Sequence, residues 1–322
     1  MSPVPGTALR FHEYGEPADV LRQDGVEVAD PAPGRVRVRV AAVGLNPADW
    51  ELCRGFRAGN LPRGIGYDVA GVIDAVGAGV DDVALGALVF GTADFLGQPS
   101  AGAADVAILT SWYQVPDGLD PARAAVLPMA LQSAVWTLDA MQVEPGTTLL
   151  VHGAGAMVGF AAVQIALRRG ARVVATAGPA FTPALTAMGA QVTPYGSGMV
   201  DRVRELAGGP VDLVFDAPPP NPGSIAELIA IAGDPRRVMT ISNHDEARRL
   251  GALVNLDQIT APAPAATFLP RYAALAADGE FTLPIARTFP LAEWRAAVEL
   301  SMSGRPHGKV VLLPGAGAPD GS

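Results

Sequence analysis

Cysteine and lysine are almost missing from this chain: 322 residues hold one of each, Cys53 and Lys309. A single thiol excludes an internal disulfide framework and any structural zinc site built from several cysteines. One lysine against 22 arginines removes the amine from almost every mechanistic role. Basic charge is in deficit too, with a formal charge of -9 and a pI near 4.9, which argues against nucleic acid or an anionic membrane as partner, since both need a basic face. No apolar run approaches the ~20 residues of a membrane span. The opening MSPVPGTALRFHEYG carries neither the charged nor the apolar region of a secretory signal. These absences lead us to expect a soluble, cytoplasmic protein. What is present describes a well-buried fold of two domains, 49% hydrophobic and 17% charged, with 37 glycines and 29 prolines for tight turns.

Residues 147–177, TTLLVHGAGAMVGFAAVQIALRRGARVVATA, are the most informative segment. Leu149, Leu150 and Val151 read as a buried strand and a glycine-rich turn follows. Val163, Ile165, Ala166 and Leu167 then mark an amphipathic helix that ends at Gly170, and Val173, Val174 and Ala175 read as a second buried strand. That is the opening βαβ unit of a dinucleotide-binding domain, whose first helix aims backbone N–H groups and its positive dipole end at a pyrophosphate. The glycine spacing departs from G-x-G-x-x-G, because Gly153 and Gly155 are followed by Gly159, one residue late. Counted back from Gly159, where the helix packs against the strand, the earlier glycine positions fall on Ala154 and Ala156. An alanine methyl at the closest approach to the pyrophosphate leaves two readings, a looser site or a shifted turn. NAD sites usually place an Asp or Glu after the second strand for the ribose 2′-hydroxyl; here the run is Thr176, Ala177, Gly178, Pro179, with no carboxylate to repel a 2′-phosphate.

The rest of the chain divides by period. Residues 1 to about 120 read as β-rich, with strict alternation over 36–40, strands at 69–76 and 83–90, and turns recurring every ~8–12 residues. A helical pattern starts with Asp120 as N-cap and Pro121 at the first helical position. Strands at 188–192, 211–215 and 237–241 then alternate with helices near 198–207 and 224–232, which means a parallel, doubly wound sheet. A further helix spans 269–278. The tail holds a strand, a helix begun near Pro290 and a strand over 309–313, and it returns to complete the first domain. The expected division is 1–122 with 280–322 for the discontinuous β-rich domain and 123–279 for the dinucleotide domain. No internal repeat is visible, and only the last eight residues look disordered.

Five motifs in this order, GLNPAD (44–49), GYDVAG (66–71), AVGAGV (75–80), VHGAGAMVG (151–159) and GKVVL (308–312), carry a resemblance over about residues 7 to 314. The chain resembles the medium-chain dehydrogenase/reductase superfamily, specifically its zinc-free, quinone-oxidoreductase-like branch. The resemblance implies an α/β chain with a Rossmann-type doubly wound parallel sheet plus a discontinuous GroES-like β-rich domain. Zinc alcohol dehydrogenases of the superfamily place a Cys where this chain has Asn46 and a His where it has Tyr67, so no metal is expected. His12, His152, His244 and His307 show no paired spacing.

By the same resemblance, hydride passes from a nicotinamide to a quinone or to the β-carbon of an α,β-unsaturated carbonyl, and donors must meet the charge that builds on the carbonyl oxygen. Candidate donors are Tyr67, Asn46 and backbone N–H groups, and Asp49 is a further candidate for the catalytic set. Each side chain has a second reading: packing under the cofactor for Tyr67, positioning the nicotinamide for Asn46, and bonding local backbone in the turn after Pro47 for Asp49. Ala156, Met157, Val158 and Gly159 form the pyrophosphate turn, and Thr176 and Ala177 follow the second strand. Related reductases hold the 2′-phosphate with a lysine and a tyrosine; Thr182 occupies the lysine position and Tyr195 matches the tyrosine, which favours NADPH. Arg202 either supplies a cation there or is a solvated helix arginine. Ser133 is placed near the nicotinamide or bonds within its helix. Ala217, Ser242 and Asn243 sit on the carboxyl edge of the sheet, where ligands bind. Trp50, Phe56, Trp112 and Trp136 are candidates for a substrate pocket, at most two of them. The alternatives are an enoyl-thioester reductase of a biosynthetic pathway and a catalytically silent NADPH-binding protein. A hydrophobic edge strand around 259–266 would pair two copies into a homodimer, against the resistance of Pro262 and Pro264.

Overall fold

Val36, Val38 and Val40 turn inward as their alternation requires, yet the residue between the first two is buried as well: Arg37 is 1% exposed. Its guanidinium is satisfied at 2.8 Å by Asp74 and 3.2 Å by Asp30, and also bonds the carbonyls of Val28 and Ala29. The face that carries Arg37 is covered by the segment 28–30, which supplies both carbonyls and the Asp30 carboxylate. The computed structural model describes residues 3–97, 100–304 and 306–315, and all but one residue of the tail expected to be disordered lies outside them.

Chain contacts divide the protein into two compact units, Met1–Met129 with Ala266–Ser322, and Ala130–Ala265. In the first, a six-stranded sheet runs in the order Ile285–Pro290, Lys309–Leu313, Val36–Gly44, Asp68–Val76, Leu88–Ala93, Val106–Gln114, and Val36–Gly44 also pairs with Val106–Gln114. That extra pairing closes four strands on themselves and removes two edges. The tail strand Lys309–Leu313 lies antiparallel beside Val36–Gly44. A three-stranded sheet of Leu21–Val28, Val4–Phe11 and Arg63–Gly64 completes this unit. Its core runs from Leu9 and Phe11 through Val36, Val38 and Ile73 to Trp294 and Leu312.

The second unit is a parallel sheet in the order Gln191–Thr193, Arg172–Thr176, Thr148–His152, Leu213–Asp216, Val238–Thr240, Leu253–Val254. This is a Rossmann-type, doubly wound order, and its direction of winding switches beside Thr148–His152. Leu150, Val174, Val214 and Val238 pack below helices that supply Val203, Ile225 and Leu228. Each such side chain, fully buried, contributes roughly 1.5–3 kcal/mol.

Several expected elements shift. The helical run after Asp120 is two helices, Pro121–Ala125 and Pro128–Ala140, because Pro128 lacks the N–H that would continue the first. Asp120 does cap it, accepting the Arg123 N–H at 3.0 Å. The strand expected at 188–192 is Gln191–Thr193, and the one at 83–90 is Leu88–Ala93. Residues 259–266 form no strand: the helix Asn255–Gln258 precedes them and a 3₁₀ turn, Ala265–Thr267, overlaps their end. Pro262 and Pro264, two missing donors within three residues, account for this. The end strands of this sheet are Gln191–Thr193 and Leu253–Val254. Among the described residues no helix is long and apolar enough to cross a membrane.

Candidate functional site

The strand Thr148–His152 runs into a turn shaped by its glycines. Gly153 has a left-handed φ of +74°, and a Cβ there would lie 2.6 Å from Cδ of Pro218. A Cβ on Gly159 would lie 2.6 Å from the Gly153 carbonyl oxygen, so this is the glycine that lets helix and turn touch. The bareness of Gly155 accommodates the Phe181 ring, 2.8 Å from where its Cβ would be. Ala156 is the N-cap of the helix Met157–Arg168, with no side-chain cap bond. The N–H groups of Met157, Val158 and Gly159 are therefore the ones that helix geometry leaves without intrahelical partners, and Met157 and Val158 are only half-buried. Together with the dipole they fit an anion.

Thr176 ties the second strand to this turn, its carbonyl accepting the Ala154 N–H at 2.9 Å and its hydroxyl the Gly153 N–H at 3.0 Å. Ala177 donates its N–H to the Thr193 carbonyl at 3.2 Å. Tyr195 is 62% exposed, with its hydroxyl 3.9 Å from the position a Cβ on Gly178 would take. Arg202 is not a free helix arginine: it donates to Thr193 Oγ1 at 2.9 Å, the Ser197 carbonyl at 2.7 Å and the Pro194 carbonyl at 2.8 Å. Since Thr193 is the register partner of Thr176, the structure collects Thr176, Ala177, Tyr195 and Arg202 at the carboxyl ends of two adjacent strands. Thr182 bonds the Gly178 carbonyl at 3.1 Å.

Ala217, Ser242 and Asn243 gather at the next carboxyl edge. Ser242 donates to the Pro218 carbonyl at 2.5 Å, and Asn243 donates to Asp216 Oδ2 at 2.9 Å. Asp216, which sequence reasoning missed, is fully buried, and burial pushes its carboxyl above the ordinary range. Its Oδ1 has no hydrogen-bond partner among the described residues. Ser133 lies half-buried on the helix Pro128–Ala140.

In the β-rich unit the motif residues form a closed charged cluster. The turn expected after Pro47 is a helix, Pro47–Cys53, and Asp49 in its first turn accepts the Asn46 N–H through Oδ2 and the Gly66 N–H through Oδ1, both at 2.8 Å, so it caps the helix start and fastens it to Gly66. Asn46 Nδ2 donates to the Gly44 carbonyl at 3.1 Å and to Asp68 Oδ2 at 3.0 Å, while its Oδ1 accepts from Lys309. Lys309 Nζ also lies 3.4 Å from Asp68 Oδ2, and Asp68 Oδ1 accepts the Met129 N–H at 2.9 Å. Asn46, Asp49, Asp68 and Lys309 are all buried. Tyr67 packs on Phe95 with ring centroids 5.1 Å apart, and burial, reinforced by the Asp68 charge, raises its phenol so that it holds its proton more tightly.

Burial pushes the Asp49 carboxyl up to about 6 from 3.8, outweighing the two N–H bonds that favour its charged form. The folded unit therefore binds a proton that the unfolded chain has released. The stabilisation is present in full below about pH 4 and is lost as pH rises through about 6, a contribution of about 3 kcal/mol. Urea unfolding of Asp49→Asn beside the parent chain between pH 4 and 7 checks this. The parent should lose stability relative to the variant as pH rises, and parallel curves would count against it.

Residues 32–112 match the alcohol dehydrogenase GroES-like domain family and residues 188–312 the zinc-binding dehydrogenase family. Among curated proteins the chain is 37% identical over 202 residues to an erythronolide synthase, EryA2, of Saccharopolyspora erythraea, covering 58% of this chain and 6% of that protein. It is 35% identical over 176 residues to the quinone oxidoreductase of Rattus norvegicus, covering 53% of this chain and 52% of the relative. A chloroplast envelope quinone oxidoreductase homolog of Arabidopsis thaliana is 29% identical over 332 aligned positions, covering 95% of this chain and 98% of the relative. The chain belongs to the medium-chain dehydrogenase/reductase superfamily. Its fold matches the CurK enoyl reductase with a TM-score of 0.80 at 23% identity, over 96% of this chain and 99% of that one.

This medium-chain dehydrogenase/reductase holds no group of three or more His, Cys, Asp or Glu side chains placed to bind a metal among its described residues. Cys53 is buried, which pushes its thiol up to about 12. Of the four candidate pocket aromatics, Trp50 is core and Phe56 is exposed. Trp112 lines a cavity of about 420 Å³ with Asp82, Tyr113 and Pro270, and Trp136 one of about 340 Å³ with Ile259 and Pro262. Neither cavity is lined by a residue expected to hold the cofactor.

Proposed function

We propose that this oxidoreductase is a cytoplasmic, NADPH-dependent, metal-independent reductase of quinones or α,β-unsaturated carbonyls. The observation that carries the reading is the cluster of Thr176, Ala177, Tyr195 and Arg202 at the carboxyl ends of the strands Arg172–Thr176 and Gln191–Thr193. No carboxylate follows the second strand, and Arg202, whose guanidinium has five N–H groups, supplies the cation that the absent lysine would have provided. The N–H groups of Met157, Val158 and Gly159 hold the pyrophosphate. Ala217, Ser242 and Asn243 border the adenosine half, and Ser133 lies toward the nicotinamide. The bound dinucleotide supplies the hydride. Tyr67, which keeps its phenolic proton, donates a hydrogen bond to the oxygen on which charge builds. Asn46 and Asp49 act one step removed, by holding Asp68 and Gly66 on either side of Tyr67.

A fluorescence titration with NADPH and NADH tests this directly. NADPH should bind more tightly, and Arg202→Met should weaken NADPH by roughly ten- to a hundredfold while leaving NADH unchanged. Equal binding of the two cofactors would sink the preference. The similarity to part of an erythronolide synthase supports enoyl thioesters as the alternative acceptor, and a panel of quinones, enones and enoyl thioesters separates the two readings. A protein that binds NADPH yet oxidises it with none of them is a silent binder.

We further propose a homodimer. The open strand Leu253–Val254 and Leu256, which is 55% exposed, support pairing with a second copy. Light scattering should return twice the 33.0 kDa chain mass, and a single-chain mass at assay concentration counts against it.

A further inference from the structure

We propose that His152 is a positioning residue for the dinucleotide turn, acting through the hydroxyl of Thr176. His152 ends the central strand and is 6% exposed; Thr176 is fully buried. His152 Nδ1 lies 2.8 Å from Thr176 Oγ1, and that oxygen also accepts the Gly153 N–H at 3.0 Å. The hydroxyl has one proton to give, and Nδ1 is its one acceptor among the described residues. A buried hydroxyl seldom leaves its proton unbonded, so Nδ1 is the bare nitrogen and the imidazole is neutral, with its proton on Nε2.

This arrangement fixes the hydroxyl. Its proton points at His152 and its lone pairs at Gly153, while the Thr176 carbonyl takes the Ala154 N–H at 2.9 Å. The two successive N–H groups at the start of the turn are thus held by one residue, which keeps Gly153 left-handed and presents the helix beginning at Met157. Two acids act on the imidazole: Asp216, its register partner on the neighbouring strand, and Glu227. Both favour a charged ring, but burial outweighs them and holds His152 below its ordinary range.

The inference rests on the proposed cofactor reading, and three measurements on the full chain keep the two apart. Imidazole ¹⁵N–¹H correlation spectra, with His152 assigned by its loss in His152→Gln, should show the Nε2–H neutral form without any ligand; a protonated Nδ1 overturns the inference. Amide exchange at Gly153 should speed up by roughly tenfold in Thr176→Val, and unchanged protection overturns it. Thr176→Val and His152→Leu should raise both Kd and KM for NADPH by roughly tenfold with kcat held within about twofold, whereas Thr176→Ser and His152→Gln, which keep a hydroxyl and an acceptor, should restore binding. NADPH affinity within about twofold of the parent in His152→Leu overturns the role even if Thr176→Val does not fold. If the parent chain binds no NADPH, the cofactor reading falls, and the spectra and exchange rates still decide the latch.

Discussion

Lys309→Met should lower the stability of the β-rich unit by about 3–5 kcal/mol, the usual effect of leaving a buried charge without its partner. Asp68 is fully buried, and among the described residues its Oδ2 meets the Asn46 amide and the Lys309 ammonium. Without the ammonium, Asp68 must stay charged in an apolar setting or take up a proton, and Asn46 Oδ1 loses its donor as well. Burial already raises the Asp68 carboxyl, and Lys309 is the largest influence acting against that rise. Adding Asp68→Asn should recover most of the loss, because removing both charges leaves neither unpaired. Urea unfolding followed by tryptophan fluorescence reads both variants. A loss under about 1 kcal/mol for the single substitution would mean that water reaches the pair.

Gly159→Ala should abolish nucleotide binding, weakening it by more than about a hundredfold, close to 3 kcal/mol. In most helices this change is stabilising by roughly 1 kcal/mol, so the sign is decided by contact. Here the added methyl would sit 2.6 Å from the Gly153 carbonyl oxygen and 3.1 Å from Ala154 Cα, and both are backbone atoms of the turn itself. Helix and turn must separate, and the N–H groups of Met157 and Val158 move away from the phosphate position. NADPH titration, with circular dichroism to confirm that the sheet persists, gives the answer. Affinity kept within about threefold would place the anion elsewhere.

What the sequence revealed and what it concealed follow one physical division. The glycine turn was legible because its determinants are local: strand, turn and helix are consecutive, and each leaves its own period and capping residue. The helix Ser224–Ala232 and the strand Lys309–Leu313 were legible for the same reason. The helix His244–Leu250 was not, since HDEARRL is short and almost wholly polar and has no apolar stripe to give a period. The charged cluster was concealed more deeply. Asp68 and Lys309 are 241 residues apart, and only the return of the tail beside Val36–Gly44 brings them together. Each lay in a motif that marked the family, so the signal was present, but no spacing joins them. The edge strand expected at 259–266 failed where apolar content was weighed above the two prolines.

A lysine-specific protease meets this protein on unusual terms. Its one cleavable side chain lies 5% exposed at the head of a strand bonded to neighbours on both sides, with its own N–H held by the Pro284 carbonyl at 2.8 Å. The Lys309–Val310 bond can be cut only after the tail strand has peeled away from the sheet. Digestion is therefore a single-site clock. With protease in excess, so that cleavage outpaces reclosing, the rate at which the full-length band gives way to a shorter one measures how often the tail strand opens, with no label and no engineered site.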